Sequence, residues 1–495
     1  MMVHFWIRKA LPWALLVLLG ACTSGGKAAD PGTPAAPEKE ISPEPEAPPE
    51  ATDTASILVR VAGLLGRGDG EGALALFEKI DPAETETREL QLLKASVLIA
   101  AGKPADARKI ADGILSEEPE NSDAILVLAA VHGISGNDRE QRNMLEKLIK
   151  ADPENIEALI ELGNISLRAR SLRTAAGYYD RVLKISPDNG DALVGRALVY
   201  RRSRDPKNAE RLLNRAVRLF PRWSVPWSER ARLYRSADYP EDALRDIDAA
   251  KELDGNNYWI AIDRGNILLD LNRKSEALEE FNRAVGLDPR NFLAYVYAAG
   301  IKDDLKDYDG AEKDYAAVIR LNPEYYFAYE GLGVIKMRKH LWAEARDNFL
   351  EASRKAPADP AYALLAAMNW MRAGKINDPR QFLGEALRRT ERESLEWYML
   401  RLYRDLSGDN DIAIRVDQEQ DPDKKARMLY YLANYYDIRG NRTLADRYFL
   451  RVRELERRAV PEWRLNEIIV EERNLQIPAE NENRIPDFNE IQVPR

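Results

Sequence analysis

The chain has one cysteine, Cys22, and three histidines, His4, His132 and His340, in 495 residues. A single thiol excludes a disulfide framework and a thiolate metal site, so packing alone must hold the fold. Histidines this sparse supply neither a metal-binding pair nor a nucleophile with its base. Positive charge is in short supply: 73 Lys and Arg against 82 Asp and Glu give a formal net charge of −9. That balance removes any general attraction for nucleic acid. The apolar run 10–19 is too short to span a bilayer comfortably as a mature helix.

What the chain does have is a 34-residue period. Pro119, Pro153, Pro187, Pro221, Pro289, Pro323 and Pro357 lie on one grid, with Gly255 in the one vacant slot. Twelve residues before each mark stands Ala107, Ala175, Ala209, Ala243, Ala277, Ala311 or Ala345, with Gln141 as the exception. Twenty-four residues before is a small residue again, such as Ala95, Gly163, Ala231, Gly265 and Gly333. Apolar residues recur at helical spacing in two runs per period, for example Leu159, Leu162, Leu167 and then Tyr179, Val182. The pattern predicts stacked helical hairpins. Small residues let helices approach, and the aromatics Tyr179, Phe281, Tyr315 and Phe349 fill the space between hairpins. Proline stops each second helix, and Gly255 is expected to do so as a left-handed cap.

Leu159 with Leu162-Gly163, Tyr329 with Leu332-Gly333, and the sets Ala277, Phe281, Ala284, Pro289 and Ala345, Phe349, Ala352, Pro357 resemble the tetratricopeptide repeat (TPR) family. The resemblance covers about 54–459, in strict register from 54 to 393, with a degenerate unit near 394–425. It implies an all-α fold, a right-handed superhelical solenoid whose first helices line a concave, partner-binding face. On that face it places a basic shelf of Arg201, Arg202, Arg232 and Arg235. An aromatic and apolar shelf follows, with Trp259, Ile262, Asn266, Tyr297, Phe327 and Met337. Together they would suit a peptide carrying acidic and bulky apolar residues, unless they pack between units or meet carboxylates such as Glu229 and Asp263. Ile160 and Ile262 stand where a carboxylate-clamping Lys would be, which argues against the clamping of chaperone tails.

The N-terminus carries a second pattern. Arg8 and Lys9 precede the apolar run, which closes on Leu19-Gly20-Ala21-Cys22. This looks like a bacterial lipobox, so residues 1–21 are expected to be a lipoprotein signal peptide and Cys22 the site of lipidation. Residues 22–53, rich in Pro, Glu and Ala, read as a disordered tether of on the order of 90 Å when extended. Thr23 in place of Asp favours the outer membrane, with the protein facing the periplasm.

Evidence for chemistry is thin. Gly63, Gly66, Gly68, Gly70 and Gly72 lack the spacing of a phosphate loop and read as a turn in the first hairpin. Arg67-Gly68-Asp69 is a chance tripeptide. Asp405, Ser407, Asp409 and Asp411, and likewise Asp303, Asp304, Asp307 and Asp309, read as solvated acidic loops. No catalytic residue, metal or cofactor is expected.

Residues 460–474 predict a capping helix in which Trp463, Ile468 and Ile469 cover the end of the stack. Residues 475–495 read as an extended tail whose Asp487, Phe488, Glu490 and Ile491 would dock on a groove, its own or a neighbour's. The expected function is a membrane-anchored scaffold for proteins of the bacterial cell envelope, not an enzyme. A self-assembling structural component is the main alternative, and an envelope hydrolase a weaker one.

Overall fold

A computed structural model describes residues 53–66, 69–457 and 460–476. The expected signal peptide, Cys22, most of the tether, Arg67-Gly68 and residues 477–495 of the tail lie outside the described residues. Among the described residues there are 25 α-helices and no strand, arranged as twelve hairpins and a final single helix. The fold is an all-α solenoid that divides into two compact units at Asp288/Pro289.

In the first unit, hairpins open at Thr54, Arg88, Ser122, Ile156, Gly190, Ser224 and Tyr258. In the second they open at Phe292, Tyr326, Pro360, Leu395 and Pro422, followed by the helix Pro461–Glu472. Starts from Thr54 to Pro360 keep the 34-residue period. The expected strict register to 393 nevertheless breaks inside the hairpin that opens at Pro360. Its second helix is Arg380–Arg389, four residues behind the grid. Pro379 is the cause, because within the first turn it could not donate the amide hydrogen bond that a helix begun at 376 requires.

Asparagine starts many first helices. Asn121, Asn155, Asn189, Asn257 and Asn291 each accept a backbone N–H from the first turn of the helix they precede. At the other end, the residue before each grid proline leaves the helical region, as Ser186 (φ −130) and Asn322 (φ −140) do. Asp254 does the same (φ −145), and Gly255 is absent from the positive-φ residues, which corrects the left-handed cap expected there. The turn is held from outside instead: Arg283 Nη1 donates to the Gly255 carbonyl, as Arg181 Nη2 does to that of Pro153 at 2.7 Å.

The left-handed residue lies elsewhere in the period. Gly102, Gly136, Arg170, Arg204, Asp238, Asn272, Lys306, His340 and Gly374 all have positive φ, each 34 residues from the next, at the turn inside the hairpin. Each ends a first helix with a bond from the following amide to the carbonyl five residues back, such as Ser171 N to Ser166 O (2.8 Å) and Asp205 N to Tyr200 O (2.9 Å).

The grid alanines are fully buried, and so are the rings of Tyr179, Phe281 and Phe349. Small residues beneath these rings are required. A Cβ on Gly163 would stand 2.7 Å from Tyr179 Cε1, and one on Gly195 of the next hairpin 2.5 Å from it. The ring is thus clasped between two helix backbones, burying on the order of 2–3 kcal/mol of apolar side chain per slot. Gln141 breaks the alanine pattern, and Gly133 gives it room: a Cβ there would lie 2.7 Å from Gln141 Nε2.

Candidate functional site

The residues of the expected basic shelf are engaged within the first unit. Arg201 Nη2 pairs with Glu229 at 3.1 Å, and Arg202 Nη1 donates to the Leu167 carbonyl at 2.5 Å. Arg232 bridges Glu229 and Asp263, and Arg235 Nε meets Asp270 at 2.5 Å. For Arg201, Arg232 and Arg235 the expectation of a cationic surface is therefore corrected, since carboxylates of the same and following hairpins neutralise them, whereas Arg202 is tied to a backbone carbonyl. Burial acts to lower the Arg232 pKa, but Glu229 and Asp263 in contact with it outweigh that and raise it.

The apolar shelf divides by exposure. Ile262 (3%), Asn266 (8%) and Met337 (7%) are buried and form hairpin interior, so they present no face to a partner in this structure. Tyr297 is half-buried. Trp259 (41%) and Phe327 (50%) are exposed.

Phe327 sits at the middle of a run of rings in the second unit. Phe292 and Tyr325 are 5.3 Å apart, Tyr325 and Phe327 5.7 Å, Tyr326 and Phe327 4.1 Å, and Tyr326 and Tyr362 5.8 Å. Offset rings at these spacings hold one another in place, so the exposed member is presented rigidly. Beside it lies a cavity of about 400 Å³. One wall is Phe327, Val334 and Asp303 from the helices Phe292–Asp304 and Tyr326–Arg338; the opposite wall is Trp463, Arg464 and Ile468 from Pro461–Glu472.

The final helix therefore does more than the expected capping. One side seals the last hairpin: Leu465, Asn466 and Val470 are buried, and Asn466 Nδ2 donates to the Phe449 carbonyl at 3.0 Å. Arg473 clamps Asp437 and Asp446, each at 2.7 Å. Trp463 and Ile468, assigned from sequence to the cap, also line the cavity.

Of the acidic residues 303–309, Asp304, Asp307 and Asp309 are exposed, as expected, and Asp303 alone requires correction, being partly buried. Asp307 caps the helix Tyr308–Leu321 through the amide of Gly310 (3.0 Å), and Asp309 pairs with Lys339 (2.6 Å). Asp303 and Asp304 face the cavity. Burial raises the pKa of Asp303, opposed by Arg338, and burial likewise raises that of Glu330, whose Oε2 accepts from Tyr362 at 2.7 Å. Asp303 Oδ1 and Arg338 Nε are 3.9 Å apart, too far to bond, and neither atom has a protein hydrogen-bond partner. Among the described residues no group of three or more His, Cys, Asp and Glu could hold a metal ion, and no helix is long and apolar enough to cross a membrane.

Family models described as tetratricopeptide repeat match residues 64–131, and again 142–190, 160–222, 262–326 and 298–363. The chain belongs to the tetratricopeptide repeat family. No curated protein matches it. Among solved structures, the TPR chain is similar to Cut9–Hcn1 of the APC/C (18% identity, 62% of each chain covered, TM-score 0.46). It is also similar to a tetratricopeptide repeat protein from Parabacteroides merdae (19% identity, 49% of this chain and 96% of that one, TM-score 0.39). A further similarity is to YrrB, a TPR protein with an unusual peptide-binding site (21% identity, 37% of this chain and 95% of that one, TM-score 0.30). At these identities the likeness is one of fold.

Proposed function

We propose that this TPR protein is a membrane-anchored interaction scaffold of a bacterial cell envelope, holding segments of partner proteins on its first-helix face. Cys22 would carry the lipid, residues 23–53 would set the stand-off from the membrane, and the outer membrane, facing the periplasm, would be its place. The observation that carries the binding role is Phe327, half exposed between Tyr325 and Tyr326 in a run of rings and next to a cavity. A rigid aromatic beside a recess is the usual form of an interaction hot spot. Trp259 offers a second exposed aromatic on a first helix of the other unit.

Photo-crosslinking in cells from position 327, with the exposed second-helix residue Arg354 as control, tests the reading. A discrete foreign protein captured from 327 alone supports it. Capture of further copies of the same chain from 327 replaces it with self-assembly, and no capture sinks it. Metabolic labelling with a fatty-acid analogue, lost in Cys22→Ser, tests the anchor separately.

A further inference from the structure

We infer that the cavity beside Phe327 is the docking site of the chain's own tail, with the Phe488 ring in the recess and Arg484 and Asp487 laid along the final helix. The docking stands by itself; that a partner must displace the tail rests on the scaffold reading above.

The carboxylates around the cavity are engaged within the protein. Asp303 faces Arg338, Glu330 accepts from Tyr362, Glu467 meets Arg453 at 3.2 Å, and Asp304 has a partner of its own. Two exposed charges on the final-helix wall are left over. Arg464 and Glu471 form no ion pair among the described residues, although Arg464 acts on Asp303 and Glu330 through space. Arg464, Ile468 and Glu471 follow at i, i+4 and i+7, so they stand on one face of Pro461–Glu472, the face that walls the cavity. That face offers a cation, an apolar side chain and an anion in line.

The tail carries the complementary order. It leaves the Glu472 end of this same helix, and residues 476–483 give it the length to turn back. Running back along the helix, it presents Arg484, then Ile485, then Asp487 and Phe488. Seven helical residues separate Glu471 from Arg464, about 10 Å. Three residues separate Arg484 from Asp487, about 9 Å in the extended chain that Pro486 favours. Opposite charges therefore meet at both ends of the step, with Ile485 over Ile468 between them.

Phe488, the one aromatic among residues 477–495, then falls just past Arg464. There Trp463, Val334 and the half-exposed Phe327 line the recess, and a third ring covers apolar surface that is otherwise left to water. A segment joined to its site by a short linker sees an effective concentration on the order of millimolar, so modest contacts suffice. A foreign peptide lacks that advantage, which favours the tail as the resident occupant.

The test places a photoreactive benzophenone side chain at position 327 of the full-length protein, purified in detergent, and maps crosslinks by mass spectrometry. Crosslinks to residues 484–491 are expected, with a yield unchanged on dilution. Phe488→Ala should lower that yield about tenfold. Arg464→Glu should lower it severalfold, and adding Asp487→Arg should restore it, a repair that damage to the fold would not show. Absence of tail crosslinks overturns the proposal. So do crosslinks that join only separate molecules in a mixture of isotope-labelled and unlabelled protein. In cells, foreign capture from position 327 should rise severalfold when Phe488→Ala is added, and unchanged capture overturns the tail as a gate. Tail crosslinks with no foreign capture in any variant would sink the scaffold while sparing the docking.

Discussion

The Tyr431 hydroxyl donates a 2.8 Å hydrogen bond to Glu462 Oε1, joining the last hairpin to the first turn of the final helix in a fully buried contact. Burial raises the Glu462 pKa, with Tyr431 and then Arg427, at 3.8 Å, opposing it. A carboxyl raised on folding stabilises fully below its unfolded pKa, and that contribution is lost as pH rises through the folded value. Wild-type stability from this contact should therefore decline upward from the ordinary carboxylate range. Glu462→Gln is expected to flatten the decline and gain at pH 8, whereas Tyr431→Phe should cost about 1–3 kcal/mol. Urea unfolding across pH 5–8.5 reads both; identical pH profiles for wild type and Glu462→Gln would refute the linkage.

Glu161 is a second buried carboxyl. Burial pushes its pKa up to about 7 against the help of Asn164, and Oε2 has no protein partner. By the same sign, its stabilising contribution is complete below about 4.5 and fades as pH passes 7. The urea midpoint of Glu161→Gln should thus rise relative to wild type between pH 6 and 8. A constant difference between the two across that window would rule the titration out.

Gly195→Ala should destabilise by about 1–3 kcal/mol, because its Cβ would meet the Tyr179 ring at 2.5 Å. Gly177→Ala, with open space around the site, is the control and should be neutral or stabilising. Thermal melts that move equally for the two would show that the ring yields.

The left-handed turn residues offer a gain. Arg204 (φ 59) and Lys306 (φ 64) bear a conformational cost of about 1–2 kcal/mol that glycine avoids, set against its greater unfolded-state freedom. Arg204→Gly and Lys306→Gly should each stabilise by up to about 1 kcal/mol, and Gly136→Ala should lose about as much. Chemical denaturation of the three single variants decides it.

Gln141 is buried with neither amide atom bonded to protein, in the slot that alanine fills elsewhere. Gln141→Ala combined with Gly133→Ala removes the stranded amide and refills part of its space. The double variant should gain about 1–2 kcal/mol, and a loss would mean that ordered water satisfies the glutamine.

The repeat was legible because close packing leaves few choices: beneath the Tyr179 ring Gly163 leaves no room for a Cβ, and its slot recurs every period as a small residue, Ala197, Ala231, Gly265, Ala299 and Gly333. The left-handed position was not, since at Arg170, Asp238, Asn272 and His340 the backbone conformation recurs while the residue type does not. The ion pairs of Arg232 and Arg235 were partly visible in the nearby carboxylates, but a charge pattern alone does not say which arginines are neutralised. The cavity was hidden by distance along the chain, since Phe327 and Trp463 line it from helices far apart in sequence. Asp303 read as solvated for the same reason.

Tyr179 and Tyr315 share a habit that their phenylalanine counterparts do not. Sixteen positions after each tyrosine comes a glycine, Gly195 or Gly331, whose Cβ would stand 2.5 Å from the ring. Phe349 has Leu365 at that position. Neighbouring hairpins are therefore keyed to each other, and they are not interchangeable beads. Moving a tyrosine-bearing hairpin in front of one that opens like Pro360–Arg372 would jam the joint, so the order of the modules is itself inherited information.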